Sequence, residues 1–281
     1  MLFPIKLNLA CFPRSLNHIL PCMEDPRPLL EGSTLSYIDF TRSVSALYIG
    51  GTWKTTQSSR HPLSDKIISA LSIPSTSILE VGASVGVTSL ELIEQLGSRF
   101  ANYIVSDANC KLFGLKKGKW INFYSTEGEC ILRSGFGFLF YNQTKGGWFP
   151  FKQISEKLIR NAPPFDPCRA VVLELFIPEL VRKTKLDCRV SVIEWNIFQP
   201  WELQLVDIVR VANLLNRSYF SDYQIKTAII NLHKIIKPGG KLLLVENRKL
   251  EQWSLLMNGP SGFEVLDQGN GGSDVQSLAC G

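Results

Sequence analysis

The chain has 281 residues, 45% of them hydrophobic and 20% charged, with a formal net charge of +5. That composition fills a core and excludes a long disordered segment, and the length suits one large domain or one domain carrying an insertion. No apolar run reaches the roughly 18 residues of a membrane-spanning helix.

The apolar start MLFPIKLNLACF is broken by Pro4 and interrupted by Lys6, so no export leader can be drawn and a cytoplasmic location is expected. The seven cysteines, among them Cys110 and Cys130, form no C-x-x-C pair. They read as reduced thiols, mostly packed inside, and no metal site is expected. Three histidines, His18, His61 and His233, have no motif that would set one beside a nucleophile, which disfavours hydrolysis.

In chain order, residues 1–32 are Pro-rich and read as an irregular lead-in. A helix follows from Thr34, with Ser33 as its N-cap and Gly50-Gly51 as its stop. A second helix spans Pro62–Leu71, with proline in its first turn. Residues 1–75 are thus expected to form a helical lead-in or cap, with the main domain at 76–281, interrupted at 111–165.

The stretch Ser77–Ile93 (SILEVGASVGVTSLELI) combines a β-branched strand, a small-residue turn and a helix from Val87. That is the first unit of a doubly wound α/β sheet, whose carboxyl edge binds ligands. A dinucleotide turn wants G-x-G-x-x-G; Gly82 fits, but Ser84 and Val87 stand at the other two glycine positions. The actual spacing sets Glu80, Gly82, Ser84 and Gly86 two residues apart, with Ala83 between the first glycine and the serine. A second strand, Tyr103–Asp107, ends in a carboxylate. Asp107 either accepts from the two hydroxyls of a ribose or caps the next element.

Between Lys111 and Trp148 the helical period disappears and short β runs (119–124, 129–133, 136–141) predict a meander. Residues 111–160 carry nine Lys/Arg against three Glu, a local excess of +6 interleaved with aromatics. Such a module either contacts an acidic partner or substrate, or buries its aromatics as its own core beneath a solvated basic face. A short helix at 152–160 follows, and 170–181 is ambiguous between strand and helix. Strands are then expected at 189–193 and 207–211. A helix capped by Ser221 and Gln224 stops at Pro238-Gly239-Gly240, where a glycine C-cap is expected. A strand at 241–246 and a closing hairpin of 262–266 with 275–278 complete the chain.

The spacing from Glu80 to Gly86 resembles the first motif of class I S-adenosylmethionine-dependent methyltransferases. The block VIEWNIFQPWELQLVDIVRVANLLNRSYFSD…LHKIIKPGGKLLLVE is similar to the chemotaxis-receptor methyltransferases. The resemblance covers residues 60–110 and 185–281 and implies a Rossmann-like α/β fold of about seven strands, with a terminal antiparallel hairpin and a β-rich insertion after the second strand. It implies S-adenosylmethionine as cofactor, held by Glu80, Gly82, Ala83, Ser84, Gly86, Asp107, Asn196, Ile197 and Asn213. Asn196 would read the adenine amino group, Ile197 would lie beside the ring, and Asn213 would stand next to the reacting methyl. The family's arginine before that last asparagine is replaced by Ala212, which counts against receptor glutamate as acceptor.

Methyl transfer from a sulfonium is an in-line displacement, so few catalytic groups are required, and no base is identified. Two other readings stay open: a fold that binds its ligand without turnover, and an NAD(P)-dependent oxidoreductase.

Overall fold

The computed structural model describes residues 3–31, 35–142 and 149–280. It divides into two compact units, one made of Met1–Thr55 with Asn109–Ile177 and the other of Thr56–Ala108 with Pro178–Gly281.

In chain order the first unit begins with β1 (Ile5–Asn8), β2 (Cys22–Met23), α1 (Tyr37–Ser45), β3 (Tyr48–Ile49) and β4 (Thr52–Trp53). The chain then forms α2 (Pro62–Leu71), β5 (Ser77–Val81), α3 (Val87–Leu96) and β6 (Asn102–Asp107) of the second unit. It returns to the first for β7 (Lys111–Lys117), β8 (Trp120–Tyr124), β9 (Cys130–Gly135), β10 (Phe138–Tyr141), α4 (Phe151–Arg160) and β11 (Val171–Glu174). The second unit is completed by α5 (Pro178–Leu186), β12 (Val190–Glu194), β13 (Val206–Ala212), α6 (Asp222–Ile235), β14 (Ile236–Asn247), β15 (Glu251–Gly259), β16 (Gly262–Gly269) and α7 (Gln276–Ala279).

The first unit holds a seven-stranded sheet in the order β11-β7-β8-β9-β10-β1-β2. The lead-in is therefore neither irregular nor a helical cap. Ile5, Lys6 and Leu7 pair with Phe140, Leu139 and Phe138, so the first residues supply the strand that covers the exposed edge of the meander. Lys6, which breaks the apolar start, is 8% exposed and lies with its amine 3.8 Å over the Trp53 ring. Burial lowers its pKa to about 8.

Helix α1 is capped by Ser36, whose side chain accepts the Asp39 N–H; the expected cap at Ser33 lies outside the described residues. Gly50-Gly51 does not stop that helix. With φ of 56° and 86° it makes the two-residue turn between β3 and β4, a conformation glycine adopts at little cost.

The second unit is Rossmann-like: a seven-stranded sheet in the order β12-β6-β5-β13-β14-β15-β16. The first five strands are parallel and the last two run as an antiparallel hairpin. Parallel neighbours need crossover connections, and α3 and α6 supply two of them. One face of the sheet buries Leu79, Val81, Val209 and Val211 with Ile225, Ile229 and Leu232 of α6.

Helix α2 and its N-terminal proline fall where the sequence places them, but α2 belongs to this unit, so the first boundary lies at residue 55 and not 75. The intervening segment is longer than 111–165 and spans Asn109–Ile177.

Three local expectations are corrected. Helix α6 keeps its Ser221–Gln224 capping box but ends at Ile235 without a glycine cap; Ile236 is already extended. Gly239, with φ of 74°, falls instead where β14 shifts register against β13. The closing hairpin is β15 with β16, turning between Gly259 and Gly262, while 275–278 lies in the turn of helix that ends the chain, with Val275 and Leu278 in the α6 core. Of the seven cysteines, all free, only Cys110 is buried; Cys11, Cys168, Cys188 and Cys280 are exposed.

Candidate functional site

Strands β5 and β13 are neighbours, yet the chain leaves β5 toward β6 and β12 on one side and leaves β13 toward β14 on the other. Such a switch point opens a crevice at the carboxyl ends of the strands, the usual ligand position in doubly wound sheets. Its walls are the loop 82–86 after β5 and the segment 213–216 after β13.

The first loop explains its own spacing. Gly82, Ser84 and Gly86 have φ of 74°, 58° and 79°, so every second residue is left-handed. That coil folds the loop back on β6: the N–H groups of Gly82 and Ala83 both donate to the Ser106 carbonyl (2.9 and 3.0 Å). The Ser84 N–H donates to Asp107 Oδ2 at 2.8 Å. Gly86 then serves as the N-cap of α3. Glycine takes such a conformation freely, whereas serine is strained in it. The Ser84 Oγ is buried and has no hydrogen-bond partner.

Asp107 therefore stands against the loop, buried at the end of β6. Its carbonyl accepts the Trp195 N–H at 3.0 Å, which ties the end of β12 to the same edge. Asn196, the next residue, is exposed, and its Oδ1 accepts the Phe198 N–H at 3.0 Å in a tight local turn. Ile197 is buried in the α6 core, not open at the edge, and its carbonyl is held by Asn231 Nδ2 at 2.9 Å.

Asn213 is left-handed (φ 56°) and linked to the end of β14: its Nδ2 donates to Asn247 Oδ1 at 2.9 Å, and its Oδ1 accepts the Asn247 N–H at 2.6 Å. The sequence pattern does not single out the next residue, Leu214. A Cβ built on Gly82 would lie 2.9 Å from Leu214 Cδ2, so this side chain packs over the glycine. The room above Gly82 is leucine-filled.

Glu80, expected at the cofactor, is turned inward. Its Oε1 accepts from Arg210 Nη2 at 2.7 Å and its Oε2 from the Tyr103 hydroxyl at 2.7 Å. Arg210, fully buried on β13, also pairs with Asp65 of α2, while the carboxylate of Glu251 accepts the N–H groups of Leu63 and Ser64 at the start of that helix. Burial pulls the Arg210 guanidinium down, but Glu80, Tyr103 and Asp65 more than offset it and leave its pKa raised. A glutamate and an arginine inside two otherwise apolar runs, ILEV and IVRV, were the signal that could have found this pair.

Among the described residues no cluster of His, Cys, Asp and Glu could hold a metal ion, and no helix is long and apolar enough to cross a membrane.

No protein-family model and no curated protein matches the sequence. Solved structures align only loosely. The N-methyltransferase NodS from Bradyrhizobium japonicum WM9, in complex with S-adenosyl-L-homocysteine, is 17% identical with a TM-score of 0.34, over 69% of this chain and 65% of that one. An O-methyltransferase family protein from Burkholderia thailandensis is 14% identical, TM-score 0.33, over 66% of this chain and 37% of its own. A putative protein-L-isoaspartate O-methyltransferase from Plasmodium falciparum is 15% identical, TM-score 0.37, over 85% and 81%. This chain thus spans less than two thirds of the first two. Likeness this loose assigns no chemistry to the crevice.

Proposed function

We propose that the crevice between the 82–86 loop and Asn213–Leu214 binds S-adenosylmethionine, and that the protein transfers its methyl group to an acceptor by in-line displacement. The observation that carries this reading is the triple left-handed coil at Gly82, Ser84 and Gly86, folded so that Asp107 stands directly against it. A buried carboxylate at the next strand's edge suits a ribose diol. The unpartnered Ser84 hydroxyl adds a polar group that a nucleoside would satisfy. Asn196, at the adjoining edge of β12, would meet the base.

The residues fit the cofactor on one condition, that Leu214 moves off Gly82. The bound cofactor supplies an activated methyl on a sulfonium leaving group; the protein's part is to align the acceptor with it and keep water out. Glu80 holds the strand ends through Arg210 and stays clear of the ligand.

Leu214 also favours a second reading, a fold that keeps the crevice and no longer turns over. Calorimetric titration with S-adenosylhomocysteine and with NADH tests the ligand. The homocysteine nucleoside is expected to bind, and Asp107→Ala to weaken it by about 1.5–3 kcal/mol. Tighter binding of NADH, or no binding of S-adenosylhomocysteine by either the wild type or Leu214→Ala, overturns the assignment. Incorporation of labelled methyl into a cell extract then separates turnover from binding alone.

A further inference from the structure

The basic, aromatic-rich segment of the first unit is mostly what a small sheet needs for its own core. Phe123, Tyr124, Phe140 and Tyr141 are buried, while Lys116, Lys117 and Lys119 are exposed. Phe136 does not fit that pattern: it is 63% exposed and holds φ of 54° in the Phe136-Gly137 turn. A bulky residue in that conformation is strained, and asparagine or glycine would make the same turn more cheaply. Neither the core nor the turn accounts for it.

The meander collects the charges at the same place. The end of β7 with Lys116 and Lys117, the β7–β8 turn with Lys119, and the β9–β10 turn with Phe136 all lie at one end of the antiparallel strands. The β8–β9 turn, with Glu127 and Glu129, lies at the other. Five strand residues span roughly 17 Å, more than a Debye length at physiological salt. Among the described residues none of the three lysines pairs with a carboxylate. Trp120 supports the Phe136 ring edge-on at 5.2 Å and is itself covered by the Arg133 guanidinium at 4.1 Å. Lys119 Nζ stands 5.8 Å from the centre of the Phe136 ring.

We propose that these two hairpin tips form a binding site for single-stranded nucleic acid, with Phe136 stacking on a base and Lys116, Lys117 and Lys119 meeting the flanking phosphates. An exposed aromatic ring beside lysines suits this partner because every base has a π-face and every linkage a negative charge. The ammonium held over the ring tells against an anionic membrane, since sinking Phe136 into hydrocarbon would draw a charge toward the same depth. The site lies in the 1–55/109–177 unit and does not depend on a methyl donor.

Fluorescence anisotropy of a labelled 20-nucleotide oligouridylate with the 281-residue chain, at several salt concentrations, tests it. Binding is expected to weaken linearly in log–log form as salt rises. Phe136→Asn, which the turn accepts, should weaken binding about 5–150-fold while leaving the melting temperature unchanged or higher. Lys117→Gln with Lys119→Gln should flatten the salt slope by about 1.4, at about 0.7 per phosphate. No saturable binding at low salt, or binding indifferent to both variants, overturns the proposal. So does binding to phosphatidylserine vesicles without binding to the oligonucleotide, which would assign the tips to a membrane.

Discussion

Arg210 Nη2 donates to Glu80 Oε1 at 2.7 Å, and neither side chain has appreciable contact with solvent. The two residues are register partners on β13 and β5, so the pair bridges the strands that define the switch point. Removing one member leaves a buried charge uncompensated. Arg210→Met is expected to destabilise the protein by about 3–5 kcal/mol, and Glu80→Leu added to it should recover only part of that loss, because Asp65 and the Tyr103 hydroxyl are still left without their partners. Urea unfolding of the two single variants and the double variant measures the coupling; additive losses would show that the pair does not act as a unit.

Two groups near this pair titrate in opposite senses. Burial, outweighing Arg210, raises the Asp65 carboxyl to about 6, whereas burial followed by Arg210 and Arg60 lowers the His61 imidazole to about 3. The raised carboxyl contributes stability that is complete below about pH 4 and lost as pH rises through about 6. The lowered imidazole contributes stability that is complete above about pH 6.5 and lost as pH falls through about 3. Between about pH 4 and 6 the two slopes oppose each other. Relative to wild type, Asp65→Asn should therefore lose more stability on acidification through that window, and His61→Gln should lose less. Unfolding free energies at several pH values check both signs, and parallel curves for all three proteins would refute the assignment.

Ser84 stores strain at the loop. Its left-handed backbone and unpartnered buried hydroxyl together predict that Ser84→Gly stabilises the protein by about 1 kcal/mol, after allowing for the greater freedom of glycine in the unfolded chain. An unchanged or lower denaturation midpoint would mean that the hydroxyl has a use within the fold.

Gly82 and Leu214 should behave as a coupled pair. Gly82→Ala forces a Cβ to 2.9 Å from Leu214 Cδ2 in a backbone conformation that alanine disfavours, so a loss of about 2–3 kcal/mol is expected. Leu214→Ala in the same chain should restore the steric part and leave the backbone part. By itself, Leu214→Ala should tighten S-adenosylhomocysteine, because the ligand no longer has to displace the leucine. Weaker binding in that variant would make Leu214 a ligand contact.

What the chain order alone could determine was local. The tight turn after β5 was legible as the spacing of Gly82, Ser84 and Gly86, the carboxylate at a strand end as Asp107, and α6 as its Ser221–Gln224 box, because turn, strand and cap chemistry act within a few residues. The Rossmann-like sheet followed from the alternation of such units. Pairing between distant segments was not legible. Only the tertiary structure decided that Ile5–Leu7 completes the sheet of a segment more than 130 residues later, that Glu80 answers Arg210 instead of a ligand, and that Leu214 covers Gly82. Each of these contacts is set by which strands become neighbours, a property of packing that no short window of residues contains.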